Sequence, residues 1–244
     1  VIGIANDQSI AYGCARAFRD RGARLALTYL NDKAEPHVRP LAEQLEADIL
    51  EPLDVRDDAA FARLFDTIRQ TWGGVDICLH SIAFCPRDDL HARVVDCSRN
   101  GFLAAMDISV HSFMRMVRLA EPLMDDGGNC ITVSFYGAEK VVDHYNVMGP
   151  VKAALESVTR YLAAELGPKR ISVNALSPGP LKTRAASGIA AFDELMDRAA
   201  ERAPTQAVTT IDEIGAYAAF LASANAVNVT GGVHYIDGGY HIRG

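Results

Sequence analysis

The sequence predicts an α/β fold built on a doubly wound parallel sheet of about seven strands, with helices on both faces. Three observations lead there. Short apolar runs alternate with longer amphipathic runs from end to end, as βαβ units do. The apolar runs carry hydrophobic residues at successive positions, as strands buried on both faces must. The 244 residues, 49% hydrophobic and 23% charged, suffice for one large core, with no repeat, low-complexity tract or long linker to divide it. A single domain over residues 1–244 is expected.

The elements follow in order. Residues 1–3 read as the end of a first strand, so residues before Val1 are expected to exist, and the opening has no signal-peptide pattern. A helix over residues 9–21, closed by Gly22, leads to a strand over 24–29. A helix over 33–45 with Pro36 in its first turn leads to a strand over 47–53. A helix over 57–71 leads to a fourth strand over 75–81. One long helical region is expected over 98–124, then a strand over 130–135, a helix over 146–166 and a strand over 171–176. Residues 177–210 form an insertion with a helical pattern at Phe192–Arg202. A helix over 211–222 and a last strand, Val233–Ile236, complete the chain. In such a Rossmann-like sheet, ligands bind beyond the carboxyl ends of the strands.

Composition narrows the function. A formal charge of −7 without a basic run argues against nucleic acid. No apolar stretch approaches the roughly 18 residues that span a bilayer. The five cysteines, Cys14, Cys78, Cys85, Cys97 and Cys130, are scattered without a Cys-x-x-Cys pair, which predicts free thiols, most of them buried, in a reducing compartment. The seven histidines lack ligand spacing, so no metal is expected.

The segment from Gly3 to Gly13 joins the first strand to the first helix. Gly3 would allow a tight turn and a close approach to a pyrophosphate. The amides around Ile4, Ser9 and Ile10 would hold its oxygens, and Gly13 would let the helix pack closely on the sheet. A plain αβ turn with a serine cap is the alternative. Asp54 and Val55 end the third strand, where Asp54 could accept the adenine amino group or simply cap a helix. Ser81, Ile82 and Ala83 end the fourth strand, where backbone could line the ribose and nicotinamide. The second strand ends in Leu30-Asn31, with no cation for a 2′-phosphate, which favours NADH over NADPH.

Tyr145 and Lys152 stand seven residues apart, so on a helix they would share one face two turns apart, at the expected ligand edge. The stretches at 3–13, 80–84, 136–142, 145–149, 177–189 and 235–242 together resemble the enoyl-acyl-carrier-protein reductases, a divergent branch of the short-chain dehydrogenases, over nearly the whole chain. The resemblance implies NADH-dependent reduction of the trans-2 double bond of an enoyl thioester, carried by acyl carrier protein or coenzyme A, in fatty acid biosynthesis. It implies that Tyr145 stabilises the enolate oxygen and that Lys152 holds the nicotinamide ribose. Leu181, Lys182, Thr183, Arg184 and Ala185 would pass over the cofactor, within a substrate lid at about 181–208. Cys85, Phe135, Tyr145 and Met148 would contact substrate. A cytoplasmic homotetramer is implied, with residues 98–124, 145–166 and the C-terminal segment in its contacts.

Two other readings stand beside it. Ordinary short-chain carbonyl reductases carry Tyr-x-x-x-Lys, an Asn-Ala-Gly turn and a serine about a dozen residues before the tyrosine. Here the spacing is Tyr-x6-Lys and the turn is Ser-Ile-Ala, while Thr132 lies thirteen and Ser134 eleven residues before Tyr145. A non-catalytic dinucleotide-binding regulator is the third reading, opposed by the presence of both Tyr145 and Lys152. The chain also departs from the family. Many members have a second tyrosine where Phe135 stands, and strand alternation predicts that Tyr136 faces the other way. Some members carry basic residues on the lid helix where this chain reads Ala190-Ala191-Phe192-Asp193-Glu194. Arg198 and Arg202 could form a displaced basic patch or a solvated face.

Overall fold

The computed structural model describes residues 1–181, 183 and 192–243. Among the described residues are six parallel strands: β1 (Ala26–Tyr29), β2 (Ile49–Pro52), β3 (Ile77–His80), β4 (Gly128–Val133), β5 (Ile171–Pro178) and β6 (Val233–Ile236). β1 pairs with β2, and β3 to β6 lie side by side in sequence order. Val1 and Ile2 join the two groups. The Val1 nitrogen donates to the Ala26 carbonyl at 2.8 Å. On the other side Ile2 N–H donates to Leu79 O at 2.8 Å, and Ser81 N–H to Ile2 O at 2.9 Å. The expected first strand is thus one bridge, Ile2 to His80, rather than a regular strand. Across the sheet the order is β2, β1, the Val1–Ile2 bridge, then β3 to β6, the reversal expected of a doubly wound sheet.

Nine α-helices are found among the described residues: α1 (Ile10–Arg19), α2 (Glu35–Gln44), α3 (Asp58–Trp72), α4 (Arg87–His91), α5 (Arg99–Met106), α6 (Ser112–Ala120), α7 (Met148–Leu166), α8 (Phe192–Arg202) and α9 (Ile211–Leu221). One face of the sheet packs on α3, α6 and α7 through Phe61, Phe113, Met116 and Leu155. The other packs on α1, α2 and α9 through Phe18, Val38, Ile214 and Leu221. The local signals that end these helices are ordinary ones. Asp57 caps α3 by accepting from Ala59 and Ala60 N–H, and Gly73 closes it at φ 82°. Thr210 and Glu213 form a capping box on α9.

Two expectations are corrected and a third is refined. Gly13 serves helix–helix packing, not helix–sheet packing: a Cβ there would overlap the Ile211 carbonyl of α9, and one on Gly215 would overlap Gly13 O. The region 98–124 is helical from Arg99 to Leu123, as expected, though not as one α-helix. α5 and α6 are joined by a π-helical turn, Asp107–His111; Ser112, which opens α6, donates from Oγ to Ile108 O at 2.6 Å, while Ser109 Oγ within the turn engages the backbone of Phe84. The helix expected from residue 146 begins at Met148, because His144 and Asn146 adopt left-handed φ values of 64° and 45°.

Candidate active site

The carboxyl ends of β3, β4 and β5 and the loop entering α1 surround one cleft. Its lining includes Gly3, Ala5, Ser9 and Ile10 from the α1 loop, Ser81 to Cys85 and Leu90 after β3, and Val133 to Phe135, Tyr145, Met148 and Lys152 from the end of β4 and from α7 with the turn before it. Pro178 to Leu181 and Thr183 close the edge.

The α1 side is shaped for an anion. Gly3 has φ 115°, and a Cβ there would overlap the Ser81 carbonyl, so only glycine lets this loop press against the end of β3. Ser9 Oγ accepts from Ala5 N–H at 3.0 Å and Asn6 N–H at 3.1 Å. That hydroxyl folds the loop and makes no cap bond to α1. The first-turn amides of α1 therefore meet the cleft without a side-chain cap, which suits a diphosphate.

Tyr145 and Lys152 converge on the cleft, though not by the geometry their spacing suggested. Tyr145 lies in the turn before α7, and Lys152 in the second turn of α7. The turn is pinned across the cleft by Asn146 Nδ2, which donates to Leu90 O at 2.8 Å. Both side chains are buried, at 7% and 4% exposure. Burial, reinforced by the Glu156 charge, raises the Tyr145 phenol well above its ordinary value, so it remains a hydrogen-bond donor. Burial lowers Lys152 to about 8, with Glu156 opposing the shift. Lys152 Nζ donates to Val133 O at 2.6 Å.

Phe135 lines the cleft with its ring edge-on to Tyr145, centroids 4.8 Å apart. Tyr136 does not line it. Its ring packs against Tyr240 at 5.6 Å and Tyr235 at 6.5 Å, and its buried hydroxyl has no hydrogen-bond partner among the described residues. Cys85 and Met148 are both in the lining. Burial pushes the Cys85 thiol up to about 11, so it is not a poised thiolate.

Four expected cofactor residues lie outside this cleft's lining. Ile4 and Val55 are core residues, and Leu30 is exposed at the end of β1. Asp54 is gripped by Arg56, whose Nη2 lies 2.6 Å from Oδ2 and which holds the carboxyl below its ordinary range. Nor does Asp54 cap α3, a role that falls to Asp57. Lys182, Arg184 and Ala185 lie outside the described residues, as does much of the expected lid. Arg198 pairs with Asp143 at 3.3 Å and Glu194 at 3.7 Å, and Arg202 Nη2 donates to Arg243 O at 3.2 Å. Both arginines are engaged, which argues against the displaced basic patch.

Sequence reasoning passed over Leu90 and Val133 in the lining, and weighed Ser134 only as the serine of a carbonyl reductase. It also passed over a buried polar layer beneath them. His80 bonds to Ser112 Oγ at 2.7 Å and Thr132 Oγ1 at 3.2 Å, and burial with the nearby Lys152 charge lowers it to about 3, so it is neutral. Ser134 Oγ donates to Glu156 Oε1 at 2.6 Å. Only the polar residues within otherwise apolar strand ends hinted at this layer.

The family model described as enoyl-(acyl carrier protein) reductase matches residues 3–241. The chain belongs to the enoyl-acyl-carrier-protein reductase family. A curated relative, enoyl-[acyl-carrier-protein] reductase [NADH] 1 of Rhizobium meliloti, is 45% identical over 244 residues, covering 100% of this chain and 90% of the relative. The crystal structure of the Anaplasma phagocytophilum reductase in complex with NAD is 44% identical, with a TM-score of 0.95 over 99% of this chain and 92% of that one. The Bacillus cereus reductase, solved with NADP+ and an indole naphthyridinone, is 44% identical, with a TM-score of 0.97 over 100% and 95%. Against these relatives the α1 loop, Phe135, Tyr145 and Lys152 stand in a chain of matching fold throughout.

Proposed function

We propose that this chain is an NADH-dependent enoyl-acyl-carrier-protein reductase, reducing the trans-2 double bond of an enoyl thioester in fatty acid biosynthesis. One observation carries the reading. Tyr145 and Lys152 open on the same cleft as the uncapped start of α1, and the side chain packed beside Tyr145 is Phe135. The dinucleotide, when bound, supplies the hydride. The protein does the rest. The α1 amides and the Gly3 loop hold the diphosphate. Lys152, with one N–H on Val133 O, directs its remaining donors and its charge to the ribose. The Tyr145 hydroxyl, kept protonated by burial, donates to the thioester carbonyl oxygen as negative charge develops there. Phe135, Met148 and Cys85 exclude water from that oxygen and flank the acyl group.

The carbonyl-reductase alternative needs a hydroxyl beside the tyrosine. The two candidates are committed elsewhere: Thr132 is fully buried on His80, and Ser134 donates to Glu156. The regulator reading accounts for Lys152 at the ribose but leaves the buried Tyr145 in the cleft without a purpose.

NADH is the preferred cofactor because Leu30 and Asn31 offer no cation to a 2′-phosphate. The substrate is carried by acyl carrier protein, with coenzyme A thioesters as surrogates. Leu181 to Ala185 cross over the cofactor, and residues 181–208, including α8, form a lid within a single domain spanning 1–244. Residues Ile4, Leu30, Asp54 and Val55 complete the cofactor site beyond the cleft. The protein works as a cytoplasmic homotetramer. In support, α5, α6 and α7 expose Phe102, Leu103, Met114 and Tyr161, and Ile242 is exposed near the C-terminus. Among the described residues no helix is long and apolar enough to cross a membrane. The test of the reading is NADH oxidation on adding a trans-2-enoyl thioester. Turnover with NADH exceeding that with NADPH is expected, and no turnover with either would overturn it.

A further inference from the structure

Two side chains of one α7 face hold two consecutive residues at the end of β4. Lys152 Nζ donates to Val133 O at 2.6 Å, and Glu156, one helical turn on, accepts from Ser134 Oγ at 2.6 Å. Glu156 is only 8% exposed, and it contributes nothing to the cleft lining. A carboxylate is costly to bury, and a single serine hydroxyl satisfies only part of its acceptor capacity. Something other than packing accounts for its place.

The groups around it define the field. Lys152 faces Glu156, His80 and Tyr145. Of these His80 is neutral because burial lowers it to about 3, and Tyr145 is an un-ionised phenol. The negative charge acting on Lys152 comes from Glu156. Around Glu156 itself stand Ser134, Arg160, Glu139 and Lys152, with Tyr235 bonded to Glu139 at 2.7 Å. Burial and Glu139 raise Glu156, while Ser134, Arg160 and Lys152 lower it. Ser134 holds the carboxylate at the β4 end, and i,i+4 spacing keeps it on the Lys152 face.

We propose that Glu156, held by Ser134, is a positioning residue that keeps Lys152 in its ammonium form within the cleft. This rests on the proposed reductase reading, because the ammonium matters to turnover only if Lys152 serves the cofactor. Without the carboxylate, burial alone acts on Lys152, and the ammonium becomes easier to deprotonate near neutral pH. The β4 end would also lose one of its two ties to α7.

The experiment follows the alkaline limb of kcat/KM for the full chain with NADH and crotonyl-coenzyme A, alongside the titration of the Lys152 ε-group by NMR without cofactor. Glu156→Gln should move both to lower pH by about one unit, and Glu156→Asp, which keeps the charge, should restore most of the limb. A purely structural role would lower activity at every pH and leave the limb in place. If Glu156→Gln fails to fold, Glu156→Met must show the same displacement. An unmoved limb with an unmoved Lys152 titration overturns the proposal. Absence of turnover in the unmutated chain would instead overturn the reductase reading, and the NMR titration would still decide the role of Glu156.

Discussion

Replacing Lys152 with Met should strengthen the cofactor-free fold while destroying function. Lys152 is 4% exposed and titrates at about 8 rather than 10.5. A displacement of that size is worth about 3 kcal/mol against the charged form. The sign follows from proton linkage. Below about pH 8 the folded ammonium carries the whole penalty. Between 8 and 10.5 the unfolded chain holds a proton that the folded chain has released, so stability rises with pH. Above 10.5 the penalty is gone. Met has a stem of similar length and no charge. Its loss is the bond to Val133 O, about 1 kcal/mol, because the attraction of Glu156 is already contained in the lowered Lys152 value. At pH 7 the variant should therefore gain about 1–2 kcal/mol, and the gain should vanish by about pH 10.5. Urea unfolding at pH 7, 8.5 and 10 measures this, and NADH fluorescence titration should show binding weakened at least tenfold. A variant less stable at pH 7, with a difference that ignores pH, would refute the reasoning.

Further outcomes follow from the same geometry. Tyr145→Phe removes one transition-state hydrogen bond, so kcat should fall by a factor equivalent to about 2–4 kcal/mol while the NADH Kd stays within about threefold; steady-state kinetics and fluorescence titration measure the two. Tyr136→Phe should change kcat/KM by less than about threefold, because that ring packs on Tyr240 and Tyr235 away from the cleft, and Phe135→Tyr should be tolerated. Gly3→Ala should destabilise by about 2–4 kcal/mol in urea unfolding and abolish NADH binding, since its φ of 115° and the Ser81 carbonyl both exclude a Cβ.

The sheet and its ligand edge were legible because buried parallel strands leave apolar runs, and their ends are marked by Gly3, Ser81 and Phe135. Alternation predicts that Phe135 and Tyr136 part, and the two do part, but β4 ends at Val133 and Tyr136 opens a 3-10 turn, so the turn and not a period of two sets its direction. The conformation at Tyr145 was not legible. Helical spacing put it on α7, whereas His144 and Asn146 take left-handed backbone, and no periodicity encodes that. The π-helical turn likewise depends on where Ser109 and Ser112 find acceptors, which are residues 25 and 4 positions away. Asp54 stands where an adenine contact was expected, and the pairing of its carboxylate with Arg56, two residues on, is a local contact that a motif does not reveal. Glu156 was missed because a lone acid in an amphipathic helix reads as solvated until its burial is known.

The central claim is that hydride goes to the β-carbon of an enoyl thioester and not to a carbonyl carbon. The most direct measurement is NADH oxidation by the purified chain with crotonyl-coenzyme A and, separately, acetoacetyl-coenzyme A. Turnover of the crotonyl thioester to the saturated butyryl product, with the acetoacetyl thioester at background, is the predicted result. Reduction of the acetoacetyl thioester with the crotonyl thioester untouched would contradict it.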